Sequence, residues 1–257
     1  SFYQDPVSIY GLYLWPAEYL KYRADIKKVG FSNFRLGGVQ RQPAAADKAV
    51  AALLEDELAF FIVLQAKKRD EFETDEAFIE NALQEFRAVV ERYGPNGSFF
   101  REHPDVPKRP VLSYQIWNEP NFQYMYKGDG TNAMIPVRQK LYAELLPAAY
   151  KMLKGIDENI QVVGWACGGA AAQDTLFVRN ALQANPAVAT SFDVFSTHPY
   201  TQPAPPDAWV VQKWGAYAMP GQLRKIREYF AEAGRPAGEL PVFFTEGGFT
   251  LSKEAGG

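Results

Sequence analysis

Short apolar runs rich in β-branched and aromatic residues alternate along this chain with longer stretches in which apolar positions recur every three or four residues. An unbroken apolar run suits a strand covered on both faces, and a three-to-four period suits a helix with one buried stripe. The pattern predicts strands at residues 8–15, 31–36, 58–65, 111–117, 160–165, 192–197 and 242–245. Between them it predicts helices. The first carries Tyr19, Tyr22, Ile26 and Val29 and ends at Gly30, and the second covers residues 47–54. Thr74 caps a third helix whose apolar face is Phe78, Ala82, Phe86, Val89 and Tyr93. A long fourth helix buries Tyr142, Leu145, Ala149, Leu153 and Ile156, and two more are expected at residues 176–182 and 223–233. Proline-containing connections at 101–109 and 202–215 read as loops.

Strand and helix in regular alternation define an α/β fold with a parallel sheet, here a (β/α)8 TIM barrel. Seven strands are readable, so the eighth strand-helix unit is expected to be missing from the chain, which is then truncated or incomplete at its C-terminus. No repeat or linker divides residues 1–257, and they are read as one catalytic barrel domain. With 47% hydrophobic residues they suffice for one large core.

The net charge of −3, with scattered basic residues, leaves no surplus to neutralise a phosphate backbone, so nucleic acid is not an expected partner. No apolar stretch approaches a membrane span. The one cysteine excludes an intramolecular disulfide and a CxxC motif. The first ten residues lack the basic start and apolar middle of a signal peptide, although one can have been removed beforehand. A secreted or periplasmic location is favoured, and a cytoplasmic one is left open. Five Trp and 14 Tyr exceed what a core usually needs and suit a sugar-binding surface.

Barrel active sites form at the C-terminal ends of the strands. Two of those ends carry a carboxylate: the fourth strand runs into Trp117-Asn118-Glu119-Pro120-Asn121, and the seventh into Thr245-Glu246-Gly247-Gly248. Two such groups, one protonated and one ionised, are what cleavage of a glycosidic bond with retention requires. These segments resemble those of the retaining barrel glycosidases of clan A, which keep their two Glu on strands four and seven. Within that clan the sequence is most similar to family 39 and related bacterial exopolysaccharide hydrolases. The resemblance implies that Glu119 is the general acid/base and Glu246 the nucleophile. It further implies that Asn118 bonds the sugar 2-hydroxyl and that Arg35 steadies Glu246. His198 and Tyr200, from a His-x-Tyr segment, would lie with His198 facing the sugar and Tyr200 near Glu246. The aromatic floor that the clan places at the end of strand eight lies beyond this chain.

Each of these residues has a plainer reading. A single strand-end Glu is usually a solvated loop residue, Arg35 alone suits an ion pair, and His198 suits a satisfied structural histidine. Trp165, at a predicted strand end, is a candidate for stacking on a sugar ring, against the alternative of core packing. Gly37-Gly38 and Gly168-Gly169 read as turns, since neither has the spacing of a phosphate cradle. Two histidines in the whole chain, with Gly11-Leu12-Tyr13 where a barrel metallohydrolase has His-x-His, argue against a metal centre. The expectation is therefore a glycosidase that cleaves a β-linked glycoside or polysaccharide by double displacement, needs no cofactor or metal and takes an oligo- or polysaccharide as its partner. The alternatives are a transglycosylase or a catalytically inactive carbohydrate-binding barrel.

Overall fold

In the computed structural model, residues 11–122, 124–169, 172–199, 210–211, 216–217, 219–236, 238 and 240–246 are described. Among them, seven parallel strands form one sheet whose neighbours follow chain order. They are β1 (Gly11–Leu14), β2 (Asn33–Leu36), β3 (Ala59–Leu64), β4 (Ser113–Ile116), β5 (Gln161–Gly169), β6 (Val194–Pro199) and β9 (Val242–Phe244). A short antiparallel ribbon, β7 (Val210–Val211) with β8 (Ala216–Tyr217), stands outside that sheet. The helices alternating with the strands are α1 (Pro16–Val29), α2 (Pro43–Glu55), α3 (Asp75–Tyr93), α4 (Ser98–Glu102), α5 (Met134–Ile156), α6 (Ala172–Ala184) and α7 (Met219–Glu232). This is a (β/α)8-type barrel of which seven strands are present among the described residues.

Local chemistry sets the element ends. Gly30 closes α1 in the left-handed region at φ 86°, where a residue with a Cβ is strained. The Thr74 hydroxyl accepts the Ala77 N–H at the start of α3. Pro147 lies inside α5 and has no N–H to give the Ala143 carbonyl. That carbonyl instead accepts Asn185 Nδ2 at 2.8 Å, which ties α5 to the segment following α6.

Four readings of the pattern need correction. Tyr19 and Ile26 of α1 are buried, but Tyr22 and Val29 are 43% and 68% exposed, so the buried stripe is narrower than the apolar period. The connection at 101–109 begins inside α4, and the one at 202–215 contains β7. Gly168 and Gly169 do not form a turn, because β5 runs on to Gly169 after a bulge between Trp165 and Cys167. The bulge places Trp165 and Ala166 at φ 80° and 44°. Finally, Trp165 is fully buried. Its ring packs against Tyr142, Phe192, Phe195 and Phe230 with centroids 5.6–6.1 Å apart, which makes it the centre of the core beneath α5 and α7 and leaves no face for a sugar.

Candidate active site

Parallel strands bring their C-terminal ends to one side, and the polar residues converge there. β2 contributes Arg35 and β6 contributes His198, while Asn118 and Glu119 follow β4 and Thr245 and Glu246 follow β9. Trp117 and Glu119 take left-handed φ values of 64° and 47°, turning the chain out of the strand. Such conformations in non-glycine residues carry strain and persist where surrounding contacts over-determine them. Those contacts are visible. The Trp117 N–H reaches Leu64 O at 2.9 Å and the Glu119 N–H reaches Ala166 O at 3.0 Å, so the β5 bulge supplies the carbonyl that holds Glu119. The Asn121 amide then grips Gly168 from both sides, donating to its carbonyl at 2.6 Å and accepting its N–H at 3.0 Å. A Cβ on Gly168 would run into the carboxyl of Glu119.

Arg35 is 3% exposed. Its guanidinium donates to a Glu246 carboxylate oxygen, to Asn118 Oδ1 and, at 2.9 Å, to Gln115 Oε1. Its carbon lies 4.2 Å from the centre of the Tyr13 ring, a cation–π contact. Burial lowers its proton affinity, and the charge of Glu246 pushes back. The result is a fixed cation paired with the Glu246 carboxyl, and its bond to Asn118 Oδ1 leaves the Asn118 NH2 as the group to offer a ligand.

Glu119 and Glu246 differ in environment. Burial raises the Glu119 pKa above the usual carboxylate value, and the Arg35 charge opposes that only in part. Each side chain keeps some access to solvent, 12% for Glu119 and 17% for Glu246. His198 lies between them and is wholly buried. Its Nδ1 is 3.0 Å from Glu119 Oε1 and its Nε2 is 3.1 Å from Thr245 Oγ1. Burial first, and then the Arg35 charge, lower its pKa to about 3, so the ring is neutral. His198 therefore faces protein groups rather than a sugar, which corrects the expected orientation. Tyr200 lies outside the described residues.

Glu119, His198 and Glu246 each bring one ligand-type atom to within 4.8 Å of the others, a spacing that could also hold a cation. Both His198 nitrogens are already hydrogen-bonded and Arg35 neutralises Glu246, so the donor set fits an acid/base pair better than a metal centre. A separate cavity of about 770 Å³, lined by Val39, Gln40, Pro43 and Val89 among others, includes neither glutamate.

Sequence reasoning placed Glu119, Glu246, Arg35 and Asn118 at strand ends, and the structure brings all four together with His198. It missed Gln115, Gly168, Thr245 and Ser196. Asn121 stood in the Trp-Asn-Glu-Pro-Asn segment, but its grip on Gly168 had no signal in the string.

No protein-family model matches the chain, and no curated protein sequence matches it. Solved structures do. The chain is similar to a monomeric beta-xylosidase from Caulobacter crescentus CB15, with 19% identity, 96% of this chain and 54% of that one covered, and a TM-score of 0.59. It is similar to a GH39 enzyme from Xanthomonas axonopodis pv. citri, with 20% identity, coverage of 94% and 51%, and a TM-score of 0.54. A beta-mannanase from Thermomonospora fusca aligns at 17% identity over 95% of this chain and 70% of its own, with a TM-score of 0.51. At these identities the likeness establishes the barrel fold. The chain spans about half the length of the first two.

Proposed function

We propose that the protein is a retaining glycoside hydrolase acting on a β-linked glycoside, with Glu119 as general acid/base and Glu246 as nucleophile. The observation that carries this reading is the carboxyl pair, with oxygens within 4.8 Å of one another, Glu246 paired with Arg35 and Glu119 raised in pKa by burial. Retaining glycosidases hold the two groups about 5–5.5 Å apart, whereas inverting ones leave about 6.5–9.5 Å for a water molecule. Glu246, held by Arg35, attacks the anomeric carbon while Glu119 protonates the departing oxygen. A glycosyl ester to Glu246 results, and Glu119, now ionised, takes a proton from the water that cleaves it. The Asn118 NH2 bonds the 2-hydroxyl during both steps. No residue in this scheme calls for a cofactor.

The similar structures include a beta-xylosidase and a beta-mannanase, so aryl β-xylosides and β-mannosides head the test panel. The test is aryl release by the wild-type protein and its Glu246→Gln variant. Activity on at least one sugar, reduced about a thousandfold or more in the variant, is expected from loss of the nucleophile. Equal rates for the two proteins would overturn the assignment. Both carboxylates are in place, which argues against a barrel that only binds carbohydrate.

A further inference from the structure

The two nitrogens of His198 meet different partners. Nδ1 faces Glu119 Oε1 at 3.0 Å and Glu246 Oε2 at 3.6 Å, while Nε2 meets a hydroxyl among the described residues, Thr245 Oγ1, at 3.1 Å. Thr245 Oγ1 in turn lies 3.2 Å from Ser196 Oγ. A neutral imidazole carries one proton, and the atom it bonds on the other side selects which nitrogen keeps it. Two carboxylates on one side favour N–H there. A hydroxyl on the other can donate to the free lone pair, and a second hydroxyl behind it can donate in turn.

We infer that Thr245, backed by Ser196, is a positioning residue that fixes His198 as the Nδ1–H tautomer, so that Glu119 Oε1 always accepts from the ring and the transferable proton of Glu119 stays on Oε2. The hydrogen bonds then run one way, from Ser196 through Thr245 and His198 to Glu119. If Nε2 held the proton instead, Nδ1 would be an acceptor. A protonated Glu119 would then turn its proton inward through Oε1, away from a leaving group. The fixed chain keeps the acid pointed outward in the first step and stabilises the same carboxylate as a base in the second, with no change of tautomer between them. This assignment of purpose rests on the glycosidase reading above, whereas the tautomer itself does not.

The chain has only two histidines, so a nitrogen-15 spectrum of the imidazoles resolves His198 once a His103→Asn variant identifies the other. The expected result in the wild-type protein is a protonated Nδ1 and an unprotonated Nε2 at pH 7. Thr245→Val should shift the ring toward a mixture when Glu119 is protonated, and Thr245→Ser should restore the wild-type spectrum. On aryl glycosides, kcat/KM of Thr245→Val should fall progressively with leaving-group pKa, from about twofold for the most acidic phenol to about tenfold for the least, with Thr245→Ser close to wild type. A wild-type ring protonated on Nε2 would overturn the proposal. So would a Thr245→Val loss equal across all leaving groups, the mark of a merely structural role. Absence of activity in every protein, with the expected spectrum, would sink the glycosidase reading and leave the tautomer assignment standing.

Discussion

At the scale of single residues, burial acts on the carboxyl proposed as the acid. Glu119 holds its proton above the usual carboxylate range because it is desolvated, and Arg35 offsets this only in part. The acid step needs that proton, so kcat/KM should fall as pH rises through the elevated Glu119 pKa. The alkaline limb should disappear in Glu119→Gln, whose residual activity should be confined to substrates with leaving groups that need no protonation. A pH–rate profile of both proteins checks this, and an unchanged alkaline limb would contradict it. Arg35 touches Glu246, Asn118 and Gln115 through three nitrogens, a fork that Lys cannot reproduce. Arg35→Lys should therefore lower kcat/KM by about a hundredfold while leaving a folded protein, as read by steady-state kinetics and near-ultraviolet circular dichroism.

At the scale of elements, the candidate active site depends on how β4 and β5 end. β4 stops at Ile116, and the chain then adopts two left-handed conformations that the β5 bulge and the Asn121 grip on Gly168 hold in place. Gly168→Ala inserts a methyl group where the Glu119 carboxyl lies. It should reduce kcat about a hundredfold through displacement of that carboxyl, as read by steady-state kinetics. The same elements explain what could be read from the string. Glu119 and Glu246 were legible because each closes an apolar run, and parallel topology sends such ends to one side. Trp165 was misread because the run appeared to stop there. The bulge carries β5 four residues further, turning Trp165 into the interior among Tyr142, Phe192 and Phe230. The partners of His198 were hidden for a related reason. Ser196 lies on β6 and Thr245 just beyond the end of β9, and only the pairing of those two strands places their hydroxyls together.

At the scale of the whole molecule, the barrel holds by packing, and its aromatic centre should carry measurable stability. Trp165→Ala removes a fully buried ring and should cost about 3–5 kcal/mol, read as a lower urea midpoint. The buried, neutral His198 also couples the fold to pH. Below pH 6.5 the unfolded chain takes up a proton that the folded ring refuses until about pH 3. Its contribution is thus fully present above 6.5 and lost as pH falls, at up to about 1.4 kcal/mol per pH unit. Unfolding free energies of wild type and His198→Gln at pH 7 and pH 5 should differ in slope in that sense. The barrel alone does not name a chemistry, since many reactions share it. The proposed chemistry rests on the carboxyl spacing, and the stereochemistry of the first product tests that most directly. Proton NMR of an active β-glycoside reaction, recorded before mutarotation, should show the β-anomer formed first. An initial α-anomer would mean single displacement by water and would contradict the roles assigned to Glu119 and Glu246.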